Sequence, residues 1–325
     1  MNDLMTTILE NSDIVNGVRL EQTPDSTTLH LTSSEGHGCM TFHTLFPGVT
    51  LAFIHVAAPR WPESDDNASL HPLLLNYCVR GRSELLLDDG NYIYLQENDL
   101  CLSSQTAQKE YIFPTGCYEG IKLYLDEALL ADRGDLFRAF DLDIAQLAPR
   151  YLSKRQTFIK ETQGEIKETL RALWQLSEET DLFRLRLHIL SLLHLLLNAE
   201  SSTTKTCSFY TETQVLLAKR AAALLTADLR NKVPIRDIAR ELGTSETSLK
   251  NYFRGVYGQN ISSYLRQQRV EKAATLLVDT AYPIADIAAQ VGYSNQGKFA
   301  AVFKERYSLS PLEYRRRAHL NGTAN

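Results

Sequence analysis

The hydrophobic positions of this chain change their period along its length. Between residues 40 and 125 they come in strand-length runs, at 73–77 (LLLNY), 83–87 (SELLL), 92–95 (YIYL) and 120–125 (GIKLYL), rich in aliphatic and aromatic side chains. Turn chemistry separates the runs: Gly81 after Arg80, Asp88-Asp89-Gly90, Glu97-Asn98-Asp99 and Pro114-Thr115-Gly116. The pair Asp89-Gly90 is a hairpin signal, because Gly takes a positive φ at no steric cost. Many short strands at close spacing predict a small barrel or jelly roll.

From Glu127 the period is that of helices. Residues 135–146 read as helical, and 158–179 repeat apolar positions at Ile159, Ile166, Leu170, Leu173 and Leu176. Residues 182–199 carry a stripe of Leu182, Leu185, Ile189, Leu192, Leu193 and Leu196, which Leu187, Leu190, Leu195 and Leu197 widen to most of the circumference. A helix so apolar is expected to be buried on more than one side. It is either sandwiched within its own domain or paired isologously with a second copy. Residues 201–208 (SSTTKTCS) are small and polar, without periodicity, and predict a linker.

Beyond the linker one pattern occurs twice. Residues 235–245 (IRDIARELGTS) return as 284–294 (IADIAAQVGYS). Each copy predicts a short amphipathic helix, a Gly turn, a Ser cap (Ser245, Ser294) and a second helix. That is the grammar of a helix-turn-helix, whose second helix enters the DNA major groove. In the first copy Ile235, Ile238, Ala239 and Leu242 face inward, as do Leu249, Phe253 and Val256 on the second helix. Thr247, Lys250, Asn251 and Arg254 then share the opposite stripe. Asn pairs bidentately with adenine, and Lys reaches guanine or a phosphate. A merely solvated polar face is the other reading, and the one an isolated helix would invite.

The second copy keeps Ile284, Ile287, Ala288 and Val291, with Phe299 and Phe303 as inward anchors, and its register slips by one residue after the turn. Its outward face, Gln296, Gly297, Lys298, Ala300, Ala301 and Lys304, is plainer and suits phosphates and thymine methyls. Gly297 either costs up to about 1 kcal/mol of helix stability or permits a close backbone approach. Residues 262–277 read as one continuous helix, a rod of about 24 Å. Such a rod spaces two recognition helices about one DNA turn apart, near ~34 Å, in successive major grooves.

Composition adds a charge split. The 325 residues suit two domains, 44% are hydrophobic and 22% charged, and the net charge is -5. From Phe209 onward there are 17 Lys and Arg against 10 Asp and Glu; the rest has 17 against 29. A basic end behind an acidic front fits a nucleic-acid partner. Five cysteines with no C-x-x-C pair predict reduced thiols in a cytosolic protein. The N-terminus lacks the basic and apolar regions of a signal peptide. The longest apolar run, 189–197, is broken by His194 and too short for a bilayer, so a cytoplasmic protein with no membrane partner is expected.

These residues resemble the AraC/XylS family of bacterial transcription regulators. The match runs through Ile238-Ala239, Gly243, Ser245, Leu249, Phe253, Tyr264-Leu265, Arg269, Ala273 and Leu276-Leu277. It continues through 284–288 (IADIA), Val291-Gly292-Tyr293, Phe299, Phe303-Lys304 and 310–315 (SPLEYR), and departs at Gln296-Gly297-Lys298. In the closing stretch Ser310 caps, Pro311 takes the first helical position and Tyr314 packs inward. The resemblance implies an α+β chain: an N-terminal cupin-like β-barrel with a helical segment, then an all-α domain of two helix-turn-helix units joined by a long helix. The expected division is 1–200 for sensing or dimerisation (barrel 38–126, helices 127–200), 201–208 linker, 209–317 DNA binding and 318–325 tail. Residues 76–82 and 85–99 are similar to sensor domains of siderophore-type regulators in the family. The implied function is a sequence-specific, effector-responsive activator. Its implied partners are promoter double-stranded DNA, RNA polymerase, a small-molecule effector and a second copy of itself. A regulator without an effector is the alternative.

Cupin-type barrels also hold catalytic metals, so an enzyme fused to a DNA module must be weighed. His30, His37, His43, His55, His71, His188 and His194 form no H-x-H, and no Glu follows at metal-ligand spacing. Cys-His nucleophilic chemistry lacks a local signature, and Cys207 falls in the linker. No catalytic residue, metal or cofactor is therefore expected. For an effector the candidates are Phe53, His55, Arg60, Trp61, Tyr77, Arg80 and Tyr111. Arg60-Trp61 is the most suggestive pair, since Arg clamps an anion while Trp supplies area. Core packing or rim exposure is the other reading of each.

Overall fold

The computed structural model describes residues 17–61, 73–104, 111–126, 128–130, 135–152, 157–179, 181–199, 208–231 and 233–322. They divide into two compact units between Phe209 and Tyr210. The expected linker (all but Ser208), His71 and Cys207 lie outside the described residues.

The first unit is a curled antiparallel sheet of 11 strands, a half-barrel, with helices on one face. In chain order the strands are β1 (Val18–Gln22), β2 (Thr27–Ser33), β3 (Gly36–Phe46), β4 (Val49–Ala57), β5 (Arg60–Trp61) and β6 (Leu73–Leu86), followed by β7 (Tyr92–Gln96), β8 (Asp99–Ser103), β9 (Tyr111–Ile112), β10 (Tyr118–Leu125) and β11 (Thr157–Glu161). Hydrogen bonds link them in the order β1-β2-β3-β4-β10-β6-β8-β11, with β7 and β9 also on β6 and β5 on β9. The helices are α1 (Asp135–Arg138), α2 (Leu147–Leu152), α3 (Gly164–Gln175) and α4 (Leu182–Asn198).

Both faces of the central strands are buried, which is why β4 reads as an apolar run broken only by Thr50 and His55. Val49, Leu51 and Phe53 join Leu75, Tyr77, Ile121 and Leu123 against Leu170 and Leu173 of α3 and Leu185, Ile189, Leu192 and Leu193 of α4. Ala52, Ile54 and Val56 face the other way, into a cluster with Phe42, Trp61, Cys78, Leu95, Phe113 and Tyr118. The Asp89-Gly90 turn closes the β6–β7 hairpin, with Gly90 at φ +80.

Four expectations are corrected. The sheet begins at Val18 rather than near residue 38, because β1 and β2 pair at an edge where only Val18, Leu20, Leu29 and Leu31 are apolar. Residues 158–161 belong to a strand: Phe158 and Ile159 pair with Leu102 and Cys101, and the helix starts only at Gly164. The helix expected over 135–146 is interrupted, with Asp141 at φ +56 and a 3-10 turn at Ile144–Gln146. Gly81 is no turn. The strand β6 runs through it with a bulge opposite Glu119/Gly120, and a Cβ at Gly81 would lie 2.2 Å from the Cys117 carbonyl oxygen.

On α4 one side is buried as expected, but Phe183 is 66% and Leu187 48% exposed, so this single chain leaves its other side open. No helix among the described residues is long and apolar enough to cross a membrane. The second unit is helical: α5 (Glu212–Ala227), α6 (Ile235–Glu241), α7 (Glu246–Tyr257), α8 (Ile261–Asp279), α9 (Ile284–Gln290), α10 (Gln296–Tyr307) and α11 (Pro311–Gly322). The last helix continues into the stretch expected as a tail.

One buried group gives the first unit a pH dependence. His43 lies 3.1 Å through Nδ1 from the Asp25 carbonyl oxygen, which only an N–H can satisfy, and its buried Nε2 has no partner. Burial lowers its pKa below the ordinary 6.5, against smaller opposing effects of Asp25. The neutral imidazole therefore stabilises the fold fully above a pH of about 6.5, and that contribution is lost as pH falls through the lowered folded pKa. Denaturant titrations between pH 7.5 and 5 should show stability declining with acid, and His43→Phe should flatten the decline. An unchanged slope in the variant would assign the acid sensitivity to other groups.

Candidate nucleic-acid interface

The two helix-turn-helix units are built by the same local chemistry. At the end of α6, Thr244 N–H donates to the Ala239 carbonyl at 2.9 Å and Gly243 N–H to Arg240 at 3.2 Å. At the end of α9, Tyr293 donates to Ala288 at 2.9 Å and Gly292 to Ala289 at 3.0 Å. This paired closure needs a left-handed residue at the turn, and Gly243 (φ +66) and Gly292 (φ +84) supply it. Ser245 Oγ then accepts from Ser248 N–H at 3.0 Å and caps α7. The second cap is Asn295, not the expected Ser294: its Oδ1 accepts from Lys298 N–H at 2.9 Å. The second turn is one residue longer, which accounts for the slip in register between the copies.

Beyond the turns the two units coincide again. Leu249, Phe253 and Val256 are buried on α7, and Phe299 and Phe303 on α10. Phe253 sits in a triangle with Tyr257 and Tyr264, with ring centroids 4.5, 5.2 and 4.7 Å apart. Phe303 sits in a matching triangle with Tyr307 and Tyr314, at 4.7, 5.3 and 4.9 Å. The repeat thus extends into α8 and α11, where the sequence keeps the two tyrosines of each triangle at the same spacing, Tyr257 and Tyr264 in one unit and Tyr307 and Tyr314 in the other. Burial keeps the Tyr264 and Tyr307 hydroxyls protonated by pushing their pKa values up.

With these anchors inward, the opposite stripe of each helix is fixed. Thr247, Lys250, Asn251 and Arg254 are all exposed along one side of α7. Gln296, Lys298, Ala301 and Lys304 are exposed on α10, while Ala300 is half-buried. Lys250 pairs with Glu246 at 2.5 Å, one turn back on the same helix, with both side chains about half exposed. So exposed a pair holds its partners weakly and is readily exchanged for a phosphate. Arg254, Lys298 and Lys304 make no ion pair among the described residues.

The second turn is tied to α8, a rod of 19 residues and about 28 Å. Asn260 caps it, accepting from Ser263 N–H at 2.9 Å. From the middle of α8 the Arg269 side chain, 7% exposed, reaches the Gly292 carbonyl at 3.4 Å and lies over the Tyr293 ring. Arg315 of α11 donates to the Leu277 carbonyl at 3.1 Å and to that of Tyr282 at 2.7 Å, tying the last helix to the end of the rod.

In the first unit the expected effector residues do not converge. Phe53, His55 and Tyr77 lie on the helix-covered face, where His55 stacks on Trp174 at 4.5 Å. Trp61 and Tyr111 lie against the opposite cluster. Strand alternation separates the Arg60-Trp61 pair: Trp61 is buried, while Arg60 is exposed and bound to Glu35 at 2.9 Å. Arg80 is likewise exposed, paired with Glu119 at 3.1 Å. Sequence reasoning missed Trp174, hidden in a helical stripe, and Lys122. The signal for Lys122 was a lone charge in the otherwise apolar strand 120–125, buried on both faces. No group of three or more His, Cys, Asp or Glu suited to a metal occurs among the described residues.

A family profile described as a helix-turn-helix domain matches residues 238–317. The regulatory protein SoxS of Escherichia coli (strain K12) is 39% identical over 80 residues, 25% of this chain and 75% of that protein. The HTH-type transcriptional activator RhaR of Mannheimia succiniciproducens is 27% identical over 166 residues, 51% of this chain and 55% of its own length. The transcriptional regulator Rob of Salmonella typhimurium is 36% identical over 92 residues, 28% of this chain and 32% of Rob. The chain thus spans about half of that RhaR and a third of Rob. Among solved structures, a DNA-binding transcriptional dual regulator from Escherichia coli K-12 aligns at 26% identity, with 32% of this chain, 93% of that chain and a TM-score of 0.30.

The two turn glycines carry different burdens. A Cβ at Gly243 would meet nothing within 4 Å, whereas one at Gly292 would lie 2.2 Å from the Leu229 carbonyl oxygen and 2.8 Å from the Arg269 guanidinium. Gly243→Ala should cost about 1–2 kcal/mol, the left-handed backbone term alone. Gly292→Ala adds overpacking and should cost about 2–5 kcal/mol. Chemical denaturation of the full chain measures both, and equal losses would mean that the backbone at Leu229 yields without cost.

Proposed function

We propose, from the premise that the chain belongs to the AraC/XylS family of bacterial transcription regulators, that it binds promoter double-stranded DNA through α7 and α10. The two helices enter successive major grooves of one operator. On α7, Asn251 and Arg254 read base edges while Thr247 and Lys250 contact bases or phosphates. On α10, Lys298 and Lys304 hold phosphates, with Gln296 and Ala301 against base edges and thymine methyls. The single observation that carries this reading is the matched pair of turns and aromatic triangles, which leaves one exposed stripe on each second helix. The excess of Lys and Arg from Phe209 onward supports it.

The first unit, residues 1–200 in this proposal, is a cupin-like sensor of a small molecule joined through the 201–208 linker to the DNA-binding domain. Bound operator and effector together favour recruitment of RNA polymerase, which makes the chain a cytoplasmic activator. The names of the relatives, activators and regulators among them, support that direction. No catalytic residue and no cofactor is assigned. The open side of α4, with Phe183 and Leu187 exposed, supports a homodimer formed there.

Selection of genomic fragments by the full chain, with and without small-molecule extract, tests the reading. Enriched sites should carry two half-elements about 10 base pairs apart. No enriched site in either condition sinks specific recognition, and enrichment indifferent to extract favours a regulator without an effector. Asn251→Ala should relax preference at one or two base pairs by about 1–3 kcal/mol. Lys304→Ala should weaken all sequences alike and lower the salt slope by about one. An unchanged base preference in the first, or an unchanged salt slope in the second, would remove that residue from its role. Leu187→Glu should shift the protein from dimer to monomer in sedimentation velocity, and a monomeric wild type ends the dimer proposal.

A further inference from the structure

Four glycines of the second unit are needed by the fold. Gly243, Gly258 and Gly292 take a positive φ, at +66, +71 and +84. Gly255 lies within α7, where a Cβ would come 2.2 Å from the Tyr210 ring. Gly297 meets neither requirement. It is the second residue of α10, exposed and without a positive φ, and a Cβ there would meet only Asn295 Oδ1, at 3.2 Å. That oxygen ends a side chain, which yields by a few tenths of an ångström. Glycine in a helix is less stable than alanine, because it has more backbone freedom to lose. The fold therefore bears a cost at position 297 for which nothing inside the chain gives a reason.

The position lies among the residues that form the outward stripe. Phe299 of α10 matches Leu249 of α7, so Gly297 stands where α7 carries Thr247. Its neighbours Gln296 and Lys298 are exposed as well. The N–H groups at the start of a helix have no partner inside it. Here Asn295 Oδ1 takes that of Lys298, at 2.9 Å, and nothing among the described residues takes those of Gln296 and Gly297. Positive charge also gathers at this turn. Arg266, exposed, and Arg269, 7% exposed, reach in from the rod, and both favour negative charge at the Tyr293 hydroxyl, two residues before the cap. Arg269 lies against Gly292 with its Nε and Nη2 unpartnered. Among the described residues no carboxylate pairs with Arg266, Arg269 or Lys298.

We propose that Gly297 is a contact residue of the operator complex: its bare backbone lets a phosphodiester of the DNA strand at the groove edge lie against the first turn of α10. The phosphate accepts from the Gln296 and Gly297 N–H groups, at the positive end of the helix, with Lys298 and Arg266 beside it. A side chain at 297 would stand in that space, as Thr247 stands in the matching space on α7. A phosphate fits this position better than a base edge does. Base edges are read by side-chain donors, acceptors and methyls, and glycine offers none of these; what it leaves open is backbone N–H. The proposal rests on the reading of α7 and α10 as the operator-binding helices, and it adds the one residue of α10 that works by having no side chain.

The test uses the full chain, a DNA fragment selected by the wild type and a fragment of unrelated sequence. Gly297→Ala should melt no lower than the wild type, and up to about 4 °C higher, as expected of alanine in a helix. It should bind both fragments about tenfold more weakly, with base preferences unchanged. Gly297→Thr, which copies the matched residue of α7, should bind more weakly again. Stability kept or gained while binding is lost is a pairing that a structural role for the glycine does not give. Equal binding by the wild type and Gly297→Ala overturns the proposal and leaves operator recognition standing. A Gly297→Ala protein that melts lower also overturns it, since the glycine would then serve the cap at Asn295. Weakening confined to the preference at one base pair moves Gly297 to base readout and overturns the phosphate contact. A wild type that selects no fragment ends both readings.

Discussion

Phe253 and Phe303 are each fully buried, each in a triangle with two tyrosines. A helix has one rotation about its axis that buries such an anchor, so fixing the phenylalanine fixes which side chains face out. The turn before it decides where the helix begins, and the tyrosine after it (Tyr264 or Tyr314) comes from the next helix. Each triangle therefore locks two consecutive pieces of chain, the second helix and the one that follows it. Every statement about an outward stripe, and hence about what this domain touches, depends on that lock. Losing an aromatic anchor of this kind costs about 3–5 kcal/mol, a large share of the stability of a small domain.

The lock is duplicated, but its surroundings are not. Around the second turn, Gly292 is pressed between the Leu229 carbonyl and Arg269, and Arg315 reaches back to the end of the rod. Around the first, Gly243 faces open space. The outward stripes differ in the opposite sense. The first offers an amide, a hydroxyl and two cations; the second offers Gln296 at its start, then Gly297 and Ala301 between the cations Lys298 and Lys304. On the proposed reading, discrimination among bases falls mainly to α7, and α10 supplies an anchored, sequence-tolerant grip. A rigid element suits that second task, since phosphate contacts fix register only where the element carrying them is itself fixed.

The helical domain was legible because its signals are local. Glycine at a turn, a capping side chain and apolar residues at helical spacing all act within a few residues of one another. The one local error, Ser294 for Asn295, arose because both residues cap well and only the extra turn residue chooses between them. The sheet was less legible because its determinants are remote. Val18–Gln22 and Thr157–Glu161 are strands by virtue of partners at Thr27–Ser33 and Asp99–Ser103, and their own residues do not announce it. Gly81 looked like a turn, yet the glycine serves the close passage of the Cys117 carbonyl. Arg60 and Trp61 looked like one clamp, and pleating put them on opposite sides. The mouth residues were chosen for chemistry without knowledge of facing, so the seven could not have converged except by chance.

Lys122 shows what facing adds. Strand alternation groups it with Gly120 and Tyr124 and sets it opposite Ile121 and Leu123, but only the pairing with β4 and β6 shows that both groups are buried. Once both faces are covered, the charge has no outward option, and it lies against the rings of Tyr111 and Tyr124, 3.9 and 5.9 Å from their centres. Facing, which only the pairing of strands decides, is what separates a lone charge on a solvated rim from a cation held inside the sheet.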